Sequence, residues 1–311
     1  MRYPLINRFK GALLGALLGE ILAKDGKRQD YISCDVSQIL LLGTKNLIEL
    51  GKLDLDNWPD EHLKASPDLN CTDGLLLRAM IATLPVALFF HDHSTHLRQQ
   101  LLEMLPIWGG EPVIRDGTLA VGYAIAKSLT EELHPQTLIP EIISFIGDTS
   151  TLLPDKLIKL NNLLYQGVGL ETVQAEFSRE DDIGHAIIMG FYCFLSTVED
   201  LQFAVLRAAH REHTREGETG NLHSATISII TGALSGAYNS SLGIPVKWHG
   251  LLSPNNSMTP VLELADVLVA VWSGVYDPPL HLNEYPQGRC LRYEEQAPLC
   301  VFASPRVIQS R

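Results

Sequence analysis

Four features of this 311-residue chain have residue types and spacing that suit chemistry. The first is the polar stretch Arg215–Asn221, carrying Glu216, Glu218 and Asn221, which runs straight into an apolar helical pattern. Carboxylates beside the free N–H groups of a helix start suit a cation or a phosphate. The second is His91-Asp92-His93-x-x-His96, a cluster of metal-ligand type. Its plainer reading is a polar connection in which Asp92 or Ser94 caps a helix. The third, Glu180-Asp181-Asp182, is acidic enough for a cation, and it also stands where acidic residues favour a helix dipole. The fourth is Cys34, at a helix start that would stabilise a thiolate, although no histidine lies near it in sequence.

Helices have to position these residues. After Asn221, Leu222, Ala225, Ile229, Ala233, Leu234 and Ala237 recur at three and four, which predicts a helix over 222–238 with the acidic stretch as a loop before it. Ser228, Gly232 and Gly236 fall four apart and leave one face nearly bare. A helical glycine costs about 1 kcal/mol against alanine, so a repeated one implies close backbone approach. Residues 5–23 carry the same stripe in Gly11, Gly15 and Gly19, and the two helices are expected to lie against each other. Asp35–Leu50 reads as a second helix, and 73–90 as a core helix kinked or broken at Pro85. Further helices are predicted at 94–107, 116–132, 135–146, 153–166, 170–177, Asp182–Leu195, Val198–Arg211 and 260–273. Period-two patterns are scarce, so the expectation is an all-α single domain over 1–275. A proline-rich extended tail over 276–311 follows, with one short strand at 300–305.

Composition narrows the partners. Hydrophobic residues make up 46% and charged residues 19%, an ordinary globular balance. A net charge of -12 disfavours nucleic acid and anionic membranes as partners. Five cysteines without a CxxC pair suggest a reduced, cytoplasmic setting. The opening MRYPLINRFK lacks a signal-peptide pattern, and the apolar runs look shorter than the roughly 20 residues a bilayer needs.

Several blocks resemble the ADP-ribosylglycohydrolase family, of the dinitrogenase-reductase-activating type. RFKGALLGALLGEILA (8–23) is similar to the family opening R-x-x-G-A-L-L-G-x-x-x-G-D. CDVSQILLLGTKNLIELGKLD (34–54) resembles the T-D-D-T-Q block and its helix. GLLLRAMIATLPVAL (74–88) is a loose version of the M-R-x-x-P segment, and HAIIMGFYCFLSTVEDLQFAVLRAA (185–209) occupies the helix pair before the last block. ISIITGALSGAYNSSLGIPVKW (227–248) is similar to that last block, in which G-D-T-D-T leads into A-x-I-A-G-A-x-x-G-A and I-P-x-x-W. The resemblance implies a compact all-α fold. It further implies, in active members, two Mg²⁺ or Mn²⁺ ions held by aspartates of both motifs and hydrolysis of glycosidic bonds of ADP-ribose.

The chain departs from the family at those ligands. Cys34-Asp35-Val36-Ser37 stands for T-D-D-T, so one carboxylate is replaced by valine. Without a gap, Leu222-His223-Ser224-Ala225-Thr226 lies over G-D-T-D-T and both aspartates are lost. A gapped register puts Glu216-Gly217-Glu218-Thr219 over D-T-D-T, and a third lays Gly217–Asn221 over the motif. Glu20 stands where the first glycine stripe leads to an aspartate. Hard dications need several anionic oxygens, so the expectation is a degenerate centre with no metal cofactor and weak or absent turnover. The old cleft is left to bind ADP-ribose, a related nucleotide or a protein partner. Candidate catalytic residues are Glu20, Asp35 and Glu218, and candidate ligand contacts are Ser37, Thr219, His223, Ser224 and Thr226. The rival is an active hydrolase holding Mg²⁺ or Mn²⁺ through Asp35, Glu216 and Glu218. A third reading is a structural or interaction protein.

Overall fold

The computed structural model describes residues 3–24, 35–51, 72–108, 110–177, 184–210, 218–252 and 258–275, with the backbone alone at 24, 35–38, 218–221 and 258–259. The expected tail over 276–311 and its strand lie outside the described residues. Thirteen α-helices follow one another in the described chain: α1 Leu5–Lys24, α2 Asp35–Leu50, α3 Thr72–Phe89, α4 Ser94–Met104, α5 Pro112–Leu129, α6 Leu138–Ile146, α7 Leu153–Tyr165, α8 Leu170–Phe177, α9 Gly184–Leu195, α10 Leu201–Ala209, α11 Glu218–Asn239, α12 Val246–His249 and α13 Met258–Trp272. No strand occurs among the described residues. The fold is all-α.

The axis of the fold is the antiparallel pair α1 and α11. Gly11 faces Gly236, Gly15 faces Gly232, and Gly19 faces Ser228. A methyl built on Gly15 would lie 2.0 Å from the Gly232 carbonyl oxygen, and one on Gly232 would lie 2.0 Å from that of Gly15. Only hydrogen fits in this seam, which is why both helices accept the propensity cost of glycine. Around the pair, α3, α5, α9 and α10 pack on α11, and α13 closes over α1 and α2.

Several local expectations need correction. Helix α3 runs through Pro85 without a break in its assignment. Its residues from Leu76 to Phe89 are all buried, so packing on every side holds the turn that proline deprives of a hydrogen bond. It is also long and apolar enough to cross a membrane by length and composition, contrary to the estimate from the apolar runs, but 83% of that window is buried inside the fold. Helix α5 starts at Pro112 rather than at 116, with proline in the first turn where its missing N–H is harmless. Before α4 the N-cap is His93 and makes no side-chain cap, so neither Asp92 nor Ser94 takes that role. Helix α11 begins at Glu218, so Glu218 and Asn221 belong to its first turn and not to a loop.

Arginines cap two helix ends. Arg8, only 4% exposed, donates from Nη1 to Ser128 O (2.5 Å) and from Nη2 to Glu131. It thereby places its charge on the last carbonyls of α5, the negative end of that helix. Glu131 adopts φ +63°, a left-handed conformation held by this pair. Arg98 does the same for α6, bonding Phe145 O (3.0 Å) and Ile146 O (3.1 Å).

Candidate functional site

Register between helices brings most of the buried carboxylate, arginine and histidine side chains of the described residues to one end of the bundle. Gly19 meets Ser228, so the last turn of α1 lies beside the first turns of α11. A methyl on Gly117 would touch Ile187 and Met80, which brings the starts of α5 and α9 to the first half of α3. His185 on α9 meets His223 on α11. Among the described residues, the buried carboxylate, arginine and histidine side chains are Arg8, Glu20, Arg78, His91, Asp116, His185 and His223. Five of them, Glu20, Arg78, Asp116, His185 and His223, stand at this end. Arg8 and His91 stand elsewhere, in the first turn of α1 and just past the end of α3.

The two histidines form the tightest contact there. His185 Nδ1 and His223 Nε2 are 2.6 Å apart, with side chains 2% and 4% exposed. Their ring planes differ by 22° and their centroids lie 4.8 Å apart. The centroid separation exceeds the nitrogen separation by nearly the full sum of the two ring radii, the most that geometry allows, so the nitrogens lie close to the line joining the ring centres. The contact is therefore an edge-to-edge hydrogen bond and not a face-to-face stack.

Asp116 is fully buried and saturated. Its Oδ2 accepts from Thr149 Oγ1 (2.5 Å) and Thr151 Oγ1 (2.5 Å), and its Oδ1 accepts from Arg115 Nε (2.8 Å). Arg115 also bonds Asp148 O at 3.2 Å. This network fixes the 147–152 turn before α7, and Thr151 further accepts from Leu153 N at 3.3 Å.

The residues singled out from sequence fall into three sets. Glu20, His223, Ser224 and Thr226 come to this end, with Glu20 and His223 buried. Thr226 does not aim its hydroxyl outward: Oγ1 donates to Leu222 O (2.9 Å) within its own helix. Ser224 Oγ is buried without a hydrogen-bond partner among the described residues. Asp35 and Ser37 lie in the first turn of α2, and Glu218 and Thr219 in the first turn of α11, with backbone placement only. Glu216, Cys34 and Glu180-Asp181-Asp182 lie outside the described residues.

The His91 cluster is not a metal site in geometry. His91 Nδ1 bonds Leu88 O (2.8 Å), and its ring packs on Trp272 and Phe9. His96 packs instead on Phe90. Among the described residues no three of His, Cys, Asp and Glu are grouped to hold an ion. Among the described residues at this end, Asp116 accepts from three donors and the two imidazoles face one another.

Sequence reasoning did not single out His185, Arg78 or Asp116. Arg78 had a signal, as the one charge in the apolar run 74–90. His185 and Asp116 had none, because their partners lie far away in the chain.

Comparison with known proteins places the fold. The ADP-ribosylglycohydrolase family model matches residues 40–278. A solved structure described as "ADP-ribosylglycohydrolase-related protein complex" superposes with TM-score 0.59 at 15% identity, covering 85% of this chain and 99% of that one. No curated protein matches the chain in sequence. The matched span begins inside α2 and leaves out the glycine stripe of α1, yet it contains α11, against which that stripe packs. With its sequence matched over most of its length and its all-α fold shared, the chain belongs to the ADP-ribosylglycohydrolase family.

Proposed function

We propose that this protein is a family member that has lost the dinuclear Mg²⁺ or Mn²⁺ centre and with it turnover of ADP-ribosyl bonds. The remaining cleft serves to bind ADP-ribose, a related nucleotide or a protein partner. The observation that supports this most is the state of His223. In the gap-free register it stands where the family has an aspartate, and it is buried with its Nε2 turned onto another imidazole. Ala225, at the second aspartate position, is buried and has no donor atom. Val36 likewise cannot ligate. Each lost transition-state contact of this kind costs about 2.7–4 kcal/mol, roughly 10²- to 10³-fold in rate, so several together bring hydrolysis to background.

The test is release of ADP-ribose from mono-ADP-ribosylated arginine and serine peptides with Mg²⁺ or Mn²⁺, run beside elemental analysis of the purified protein. The expected result is no turnover and no stoichiometric ion pair, with a rise in melting temperature on adding ADP-ribose. Turnover abolished by Glu218→Gln would instead establish the active hydrolase built on Asp35, Glu216 and Glu218. The triple change Val36→Asp, His223→Asp and Ala225→Asp is expected to restore metal uptake.

A further inference from the structure

We infer that His185 and His223 share one proton in an N–H···N bridge, and that this bridge ties the start of α9 to the start of α11. The inference concerns the same end of the bundle as the reading above but does not depend on it. Two imidazoles that chelate one metal aim their lone pairs at a common third point. Here His185 Nδ1 and His223 Nε2 aim at each other across 2.6 Å, along the line of the ring centres. Two facing lone pairs at that separation repel, so one nitrogen must carry a proton.

The proton count then restricts the pair. Two neutral rings hold two protons: one lies in the bridge and the other on an outer nitrogen. If His185 donates, the outer proton is on His223 Nδ1; if His223 donates, it is on His185 Nε2. A proton entering one outer nitrogen and leaving by the other would move the bridging proton across. One extra proton leaves the bridge intact as an imidazolium–imidazole pair. A second would place two like charges in contact inside a buried site, which the packed state does not accommodate.

The charged groups on the helices around the dyad are of both signs. They include Glu20 on α1, Asp73 and Arg78 on α3, Arg115 and Asp116 on α5, Arg207 on α10 and Glu218 at the start of α11 itself, while Arg8, Lys10 and Lys24 on α1 and Lys127 on α5 stand on the same helices. On α7 and α8, Lys159 and Glu176 pair with each other, beside Asp155, Lys156 and Glu171. Asp116 is already neutralised by its own donors, and Arg207 is bonded to Tyr192 (2.8 Å).

The experiment is nitrogen-15 histidine NMR on the full chain, with Co²⁺ titration as a second arm. The expected spectrum has a far-downfield bridging proton coupled to one nitrogen of each ring, and both signals vanish in His185→Asn and in His223→Gln. The two rings are also expected to titrate as a coupled pair in the wild type, and the remaining histidine of each variant as a single group. Sharp, fixed tautomers with no downfield proton in the wild type would overturn the inference. So would a tetrahedral Co²⁺ band that both variants abolish. Hydrolysis by a protein that still shows the bridging proton would defeat the proposed loss of activity and leave the dyad standing.

Discussion

Replacing Gly15 by alanine tests the central packing argument. The added methyl would lie 2.0 Å from Gly232 O and 2.7 Å from Gly232 C, both backbone atoms that cannot rotate away. Ordinary contact begins near 3.4 Å, so the helices must part by more than an ångström at this point. Overpacking costs about 1–3 kcal/mol, and a rigid backbone partner puts this site at the upper end. Parting the seam also weakens its other contacts, since a gap of 0.5–1 Å forfeits about a quarter to a half of each dispersion well. Against this, alanine gains about 1 kcal/mol of helix propensity over glycine. The net expectation is a loss of about 2–3 kcal/mol, a large part of the 5–15 kcal/mol typical of a folded domain. Gly232→Ala should match it. The double variant should lose less than the sum, because once the helices have parted the second methyl enters space already opened. Gly250→Ala is the control, since its methyl would meet only Lys247 O at 3.6 Å. The assay is urea unfolding, read as a lower midpoint at unchanged slope. Losses within about 0.5 kcal/mol for both Gly15→Ala and Gly232→Ala would refute the reasoning.

Two further outcomes follow from side chains that close the fold. Arg8→Met strips the last carbonyls of α5 of a buried charged donor and should cost about 1.5–3 kcal/mol in urea unfolding; Arg8→Lys should recover only part of it, because one ammonium cannot span Ser128 O and Glu131 together. Tyr192 donates to Val168 O and accepts from Arg207, each at 2.8 Å, and burial raises its phenol above the ordinary 10.0 despite the opposing pull of Arg207. The fold thus favours the protonated ring: its contribution is intact below pH 10 and is lost as pH rises through the folded value. Tyr192→Phe should accordingly flatten the alkaline fall in stability measured up to about pH 11.

The glycine stripes were legible because repeated glycine in a helix is costly and has few physical causes. Their pairing across the chain follows from there being two such stripes and one seam. The start of α11 was misread because Glu-Thr-Gly-Asn lacks apolar spacing, although Glu218 in a first turn favours the helix dipole. Pro85 was read as kinking or breaking its helix, and the helix continues through it within a fully buried stretch. The site end was half legible: Glu20 and His223 were marked by their place beside the stripes. The His185–His223 bridge was not, because it joins two helices distant in the chain and corresponds to no local pattern. Asp116 was hidden in the same way, since its threonine partners sit on a later turn.

The zipper between α1 and α11 also has a bearing on how the chain is made. Its two halves lie roughly 200 residues apart, and translation at about 5–20 residues per second separates their emergence by about 10–40 s. Throughout that interval the glycine stripe of α1 lacks the partner it packs against most, although helices that touch its flanks emerge earlier. Contacts of such long range also slow folding, because a large loop must close before they form. The α1 stripe therefore waits for Glu218–Asn239, and a late segment of the described chain sets the moment at which an early helix can settle.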